Sequence, residues 1–166
     1  MLVVADTTPL ISLMKIGRLD LLEKLFQRVL APDAVYDELT TNAAFTGEAR
    51  QIIECGFVAR VSVADRKSVR ILREATGLDL GESEAIAYAD VRHAGILLMD
   101  EMKGRRIAKA KGLVVMGTVG ILIQSFYENI LMADDIERAL ERLRADGRYI
   151  SDKLIRHVRE KVRAEK

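Results

Sequence analysis

Short apolar runs alternate with longer amphipathic segments along most of this chain. The runs at residues 2–5, 29–31, 96–99 and 113–116 are continuously apolar and contain several β-branched side chains. Such runs are typical of strands in a parallel sheet, because helices then cover both faces of the sheet. The segments between the runs repeat apolar side chains at helical spacing. We therefore predict an α/β fold with a central parallel sheet.

Local patterns predict further elements. The alternating segment 57–63 predicts an edge strand, and a turn is predicted over 77–81. Helices are predicted over 82–92, 101–111 and near 118–127, and amphipathic helices over 66–76, 134–145 and 151–163. The 166 residues suit one domain. We expect residues 1–130 to contain the sheet and residues 131–166 to form C-terminal helices packed on it.

Composition narrows the kinds of site that the chain can carry. Two His and one Cys disfavour a zinc cage and a disulfide framework, so any metal is expected to be held by oxygen. No stretch approaches the roughly 18 apolar residues needed to span a bilayer. The segment MLVVADTTPLIS lacks the basic start of a signal peptide. The single Cys suits a reducing compartment, and we expect a cytoplasmic protein.

Charge is unevenly distributed, although the net charge is only +1. Residues 1–100 carry 11 basic and 15 acidic side chains, a net charge of −4, whereas residues 101–166 carry 15 basic and 10 acidic side chains, a net charge of +5. This distribution suits a metal site beside an anion-binding surface, and it equally suits a solvated surface with scattered charges.

Acidic residues follow two of the predicted strands. Asp6 and Asp100 come directly after the runs that end at residues 5 and 99, whereas Glu38 and Glu82 lie in predicted helices. Because the carboxyl ends of parallel strands meet at one edge of a sheet, we expect these four acids to form one cluster. Clustered carboxylates repel one another, and Mg²⁺ or Mn²⁺ would relieve that repulsion.

Each acid also has a purely structural alternative. Glu82 suits a helix N-terminus because of the helix dipole. Glu38 suits an exposed helix face, and Asp100 suits the cap of the next helix. Asp6 is the hardest to explain in this way, since it follows a buried strand. Thr118 is expected to cap a helix, although its position after a strand would also bring its hydroxyl near the four acids.

A basic segment follows Asp100. Its cations are Lys103, Arg105, Arg106, Lys109 and Lys111. On a helix they would hold a phosphate backbone beside the metal, which suits metal-assisted hydrolysis of a phosphodiester. The alternative is a solvated helix face. Aromatic residues make up only 5% of the chain, so base stacking is not expected to be the main mode of nucleic-acid binding.

Five segments together resemble the PIN-domain superfamily of metal-dependent ribonucleases. They are VVADTTPLI (3–11), APDAVYDEL (31–39), LGESEAIAYA (80–89), LLMDE (97–101) and KGLVVMGTVGIL (111–122). Their order and spacing carry the resemblance, which covers roughly residues 1–130. The chain looks closest to an uncharacterised subgroup related to VapC-like toxins, and its helical tail also resembles that subgroup.

The resemblance implies a three-layer α/β/α sandwich with a C-terminal helical extension and a site for Mg²⁺ or Mn²⁺. The catalytic and metal-binding acids that it implies are Asp6, Glu38, Glu82 and Asp100. Glu84 is the alternative to Glu82 if the alignment shifts by two residues, and Glu82 stands where the family usually has the shorter Asp. Thr8 matches a supporting polar position. Glu101 is the one acid close enough after Asp100 to replace a further family acid.

The function that the resemblance implies is a Mg²⁺- or Mn²⁺-dependent endoribonuclease. More narrowly, it implies the toxin of a type II toxin–antitoxin pair. The expected partners are RNA, a small antitoxin protein and a second copy of the chain in a homodimer. The alternative is a PIN-fold module that binds RNA or protein with weak or no catalysis.

Overall fold

Five short strands form one parallel sheet in the computed structural model, which describes residues 1–165. The strands are β1 (Val3–Ala5), β2 (Val29–Pro32), β3 (Val58–Val61), β4 (Ile96–Leu98) and β5 (Val115–Met116). Their order is β3-β2-β1-β4-β5, and every neighbouring pair is parallel. The predicted parallel sheet is confirmed, and the segment predicted as an edge strand lies at one edge. Because β1 is central, the residue after it emerges at the middle of the carboxyl edge.

Helices occupy the segments between the strands and after the last strand. The α-helices of residues 1–165 are α1 (Thr7–Lys15), α2 (Asp20–Phe26), α3 (Asp33–Thr41), α4 (Thr46–Glu54), α5 (Arg66–Thr76), α6 (Leu80–Val91), α7 (Met102–Ala110), α8 (Thr118–Tyr127), α9 (Ala133–Ala145) and α10 (Asp152–Ala164). A short 3-10 helix, Ala43–Phe45, precedes α4. Within this described part of the chain, we find no helix with the length and apolar character needed to cross a membrane.

Alternate residues of the central strand point into two different apolar clusters. Val3 and Ala5 pack with side chains from α1, α2, α3 and α8. Val4 packs instead with side chains from α6 and α7. Since successive side chains of a strand point to opposite faces, helices cover both faces of the sheet. The predicted three-layer α/β/α sandwich is confirmed.

The two C-terminal helices pack on the core that contains β1. Ile136 and Leu140 of α9 and Val158 of α10 belong to the same apolar cluster as Val3. Burial of one apolar face stabilises helices of this length, which gain most of their stability from tertiary packing. The division of the chain into residues 1–130 and 131–166 stays a prediction.

Two helix starts near the candidate site differ from the predicted ones. The turn predicted over 77–81 ends earlier, at Asp79. Asp79 is the N-cap residue of α6, so the helix begins at Leu80. Gly117, rather than Thr118, occupies the N-cap position of α8. Thr118 is the first residue of the helix, and its backbone N–H and its hydroxyl both bond to Asp100. A linear pattern does not show which side chain satisfies the free N–H groups at a helix start.

Candidate functional site

Asp6 and Asp100 follow two neighbouring strands at the carboxyl edge of the sheet. β1 pairs with β4, with Ala5 opposite Leu98. The Asp6 N–H continues this pairing and donates to the Leu98 carbonyl oxygen at 2.9 Å. Asp100 comes two residues after Leu98, so both acids lie where neighbouring strands end. This is the edge at which open parallel sheets bind their ligands.

Asp6 is a buried acid in a crowded acidic environment. Its exposed fraction is only 4%. Burial raises the pKa of Asp6 to about 7, and the negative charges of Asp79, Glu82 and Glu38 add to that rise. A hydrogen bond from the Thr7 backbone N–H opposes it. Three further acids therefore lie close enough to affect the ionisation of Asp6.

Glu38 is joined to the first turn of α1. The Thr7 hydroxyl donates to Glu38 Oε2 at 2.8 Å, which fixes the position of the carboxylate next to the residue that follows Asp6. Thr8, the predicted supporting residue, instead contributes its carbonyl oxygen, which accepts a hydrogen bond from Arg148 Nη2 at 3.2 Å. Of these two threonines, Thr7 is therefore the one whose side chain contacts a predicted site acid.

Glu82 has the structural role at a helix N-terminus that was considered as its alternative, and it also lies close to Asp6. Its Oε2 accepts from the Asp79 N–H at 3.0 Å, and its own N–H donates to Asp79 Oδ1 at 2.8 Å. This capping box satisfies two free N–H groups at the start of α6. Burial raises the pKa of Glu82, a rise that the hydrogen bond from Asp79 opposes and that the charges of Asp79 and Glu101 increase.

Asp79 is an acid of the site that the sequence interpretation missed. Its charge acts on both Asp6 and Glu82. The sequence pattern that could have identified Asp79 is its spacing of three residues from Glu82, which is typical of a capping box. Gly81 lies between these groups, because a Cβ built on it would be 3.5 Å from Asp79 Oδ1 and 3.7 Å from Asp6 Oδ1. The missing side chain leaves space between the two carboxylates.

Glu84, the alternative to Glu82, makes a different set of contacts. It is buried and accepts hydrogen bonds from the Ala34 N–H at 2.8 Å and from Arg66 Nη1 at 2.5 Å. It therefore connects α6 to the start of α3 and to α5. Glu82, whose charge raises the pKa of Asp6, lies nearer to the other candidate acids.

Asp100 is held by the N-terminus of α8. Its Oδ1 accepts from the Thr118 N–H at 2.7 Å, and its Oδ2 accepts from the Thr118 hydroxyl at 2.6 Å. A Cβ on Gly117 would lie only 2.8 Å from Asp100 Oδ1, so a glycine at this position permits the close approach. Asp100 thus bonds to the start of α8, whereas its structural alternative was a cap on the helix directly after it, where Glu101 occupies the N-cap position.

Removal of the Thr118 hydroxyl should destabilise the fold. Thr118→Val keeps the shape of the side chain but removes its bond to a charged oxygen, which is worth about 1.5–3 kcal/mol in the free energy of unfolding. Thr118→Ser is the matched control, because it keeps the hydroxyl. Urea unfolding monitored by circular dichroism measures the difference. A Thr118→Val protein that unfolds at the wild-type urea concentration would contradict this role.

The predicted nucleic-acid-binding cations of α7 differ in their surroundings. The charge of Lys103 opposes the raised pKa of Glu82, so Lys103 lies near that acid. Arg105 is half-buried and donates to the Met99 carbonyl oxygen at 2.8 Å. Lys111 pairs with Asp90 at 3.1 Å. The remaining two, Arg106 and Lys109, are exposed.

The donors near Asp6 suit a hard divalent cation, although they are not gathered around one point. Carboxylate oxygens are the ligands that Mg²⁺ and Mn²⁺ prefer. Yet within residues 1–165 no three His, Cys, Asp or Glu side chains converge closely enough to hold a metal ion. Glu82 Oε2 is engaged in its capping box, and both oxygens of Asp100 are engaged by Thr118. Shared coordination of one ion therefore requires some of these side chains to change torsion angles.

The fold and the acidic edge define an α/β protein with a carboxylate-rich site beyond the ends of its central strands. A family model described as a PIN domain matches residues 2–164, so the chain belongs to the PIN-domain family. The match includes both C-terminal helices. No curated protein and no solved structure gives a significant match to the chain. PIN domains are generally nucleases, and such nucleases typically use divalent metal ions.

Proposed function

We propose that this PIN domain is a Mg²⁺- or Mn²⁺-dependent endoribonuclease that hydrolyses RNA phosphodiesters. The observation that carries the proposal is the burial of Asp6 beside Asp79, Glu82 and Glu38, which raises its pKa to about 7. Ionisation of such a group is unfavourable unless a cation lies beside it. An acid whose pKa is strongly raised, at the ligand-binding edge of a parallel sheet, is a candidate for catalytic chemistry.

Each acidic residue has a distinct part in the proposal. Asp6, Glu38, Glu82 and Asp100 would hold the metal, with Thr7 orienting Glu38 and Thr118 orienting Asp100. A divalent ion, when bound, supplies activation of water and neutralises charge on the phosphodiester. Glu101 would add negative charge beside Glu82.

Cations on α7 would bind the substrate. Lys103, whose charge acts on Glu82, would contact the phosphate, while the exposed Arg106 and Lys109 would bind the RNA backbone. Arg105, which holds the Met99 carbonyl, would contribute its remaining N–H groups.

The resemblance to VapC-like toxins supports a narrower proposal. In it, the protein is the cytoplasmic toxin of a type II toxin–antitoxin pair, forms a homodimer and is inhibited by a small antitoxin. Co-expression with the protein encoded by the neighbouring gene tests this idea. Relief of growth inhibition by a small neighbouring protein that co-purifies with the chain would support it.

The proposed nuclease activity has a direct test. Purified full-length protein should cleave an unstructured RNA in the presence of Mn²⁺ or Mg²⁺, and excess EDTA should abolish that cleavage. Gel electrophoresis of end-labelled RNA detects internal cuts. The absence of cleavage with either metal, under conditions where the protein is folded, would contradict the proposal.

A non-catalytic PIN-fold module is the second candidate. The specific observation in its favour is that oxygens of Glu82 and Asp100 are already engaged by backbone and threonine donors. Calorimetric titration with Mn²⁺ separates the two candidates. Failure to bind at millimolar Mn²⁺, together with retained RNA binding, would favour the module over the nuclease.

A further inference from the structure

A basic groove lies between α5 and the turn that leads into α6. It has a volume of about 430 Å³. Arg66, Arg70 and Arg73 line it, and their spacing of four and three residues places them on one face of the helix. From the first to the last of these arginines the helix rises about 10 Å. The sequence interpretation treated this segment only as an amphipathic helix.

The groove carries more positive than negative charge. Glu74 is the one acid that lines it. Arg66 is partly neutralised, because it pairs with the buried Glu84. Arg70 and Arg73 are exposed and form no salt bridge within residues 1–165. These two guanidinium groups therefore remain available to an anionic ligand.

The groove adjoins the acidic site through a shared turn. Gly77, Leu78 and Leu80 line the groove, while Asp79 in the same turn acts on the ionisation of Asp6. Lys103 reaches the same turn from α7, since its Nζ lies 3.2 Å from the position of a Cβ on Gly77. A row of cations thus runs along α5 and ends at Lys103, beside the acids.

We propose that this groove binds the phosphate backbone of the RNA substrate and directs the strand to the acidic site. The inference rests on the proposed nuclease function. Arginine forks bind phosphate in two-pronged geometry, which suits a row of guanidinium groups along a groove. No aromatic residue lines this groove. It therefore lacks a surface for base stacking, so the expected contacts are to phosphate.

The expected binding is independent of base sequence and strongly dependent on salt. Contacts to phosphate carry no sequence information. Each phosphate contact with a single strand contributes about 0.7 to the slope of log affinity against log salt concentration. The loss of two such contacts should reduce that slope by about 1.4.

Neutralisation of Arg70 and Arg73 tests the proposal. The double variant Arg70→Gln/Arg73→Gln leaves Arg66 in place, because Arg66 pairs with the buried Glu84. Fluorescence anisotropy with a labelled poly-uridine 20-mer in EDTA measures binding without cleavage, over a series of salt concentrations. The control is Arg142→Gln/Arg156→Gln, which neutralises two exposed arginines on α9 and α10. We expect the groove variant to bind more weakly with a smaller salt slope, and the control to bind like the wild type.

The outcomes separate this inference from the proposed function. An unchanged affinity and salt slope in the groove variant would overturn the inference. Groove-dependent binding by a protein that never cleaves RNA would contradict the nuclease proposal while supporting the groove. A poly-glutamate peptide serves as the second probe. If the groove variant lost affinity for this peptide but kept its affinity for RNA, the groove would belong to an acidic protein partner and the inference would be wrong.

Discussion

Without metal, the Asp6→Asn protein is expected to be more stable than the wild type above pH 7. Asp6 is 4% exposed, and burial raises its pKa from 3.8 to about 7. Between these two values the folded protein keeps a proton that the unfolded chain releases. The stability of the wild type therefore falls as the pH rises through this range, and the loss is complete above pH 7.

The expected size of this effect is large for one side chain. A shift of about three pKa units corresponds to roughly 3–4 kcal/mol in the free energy of unfolding. Asn cannot ionise, and its side-chain oxygen can still accept the hydrogen bond from the Thr7 N–H. The difference between variant and wild type should therefore grow by that amount from pH 4 to pH 8. Urea unfolding of both proteins in EDTA at the two pH values measures it.

Metal should reduce the stability difference between Asp6→Asn and the wild type. A cation that binds only the folded protein stabilises it according to its concentration and affinity. Millimolar Mn²⁺ at pH 8 should raise the unfolding midpoint of the wild type and have little effect on Asp6→Asn. Asp134→Asn, an exposed acid in the first turn of α9, is the control and should behave like the wild type. Parallel pH profiles for Asp6→Asn and wild type would show that burial does not raise the pKa of Asp6.

Much of the fold could be predicted from the sequence, because buried parallel strands leave a strong signal. Continuous apolar runs gave the positions of β1, β2, β4 and β5 to within two residues. The parallel order then placed Asp6 and Asp100 at one edge. Helix starts were harder to predict, since they depend on single hydrogen bonds such as those of the Asp79–Glu82 capping box.

The contacts of individual side chains could not be predicted in the same way. Thr7 and Thr8 are equivalent in the sequence pattern, and only the direction of the first turn of α1 brings Thr7 to Glu38. Arg105 belongs to the predicted basic segment, yet helix geometry turns it to the Met99 carbonyl. These contacts depend on how helices pack around the sheet, and no local pattern encodes that packing.

The largest expected effect on activity also comes from Asp6. Asp6→Asn removes a charged ligand from the middle of the proposed metal site without changing the size of the side chain. Metal-dependent RNA cleavage should fall by about 100-fold or more, since loss of charge stabilisation at a reaction centre typically has effects of this order. If the same variant shows the expected metal-free stability, unfolding would be excluded as the cause of the lost activity.

The most direct test of a nuclease centre built around Asp6 is the rate of RNA cleavage by Asp6→Asn in saturating Mn²⁺. It is compared with the rates of the wild type and of Asp134→Asn on the same end-labelled RNA. We expect cleavage by the wild type and by Asp134→Asn, and a rate near the EDTA background for Asp6→Asn. Equal metal-dependent rates for Asp6→Asn and the wild type would contradict a nuclease centre at this edge of the sheet.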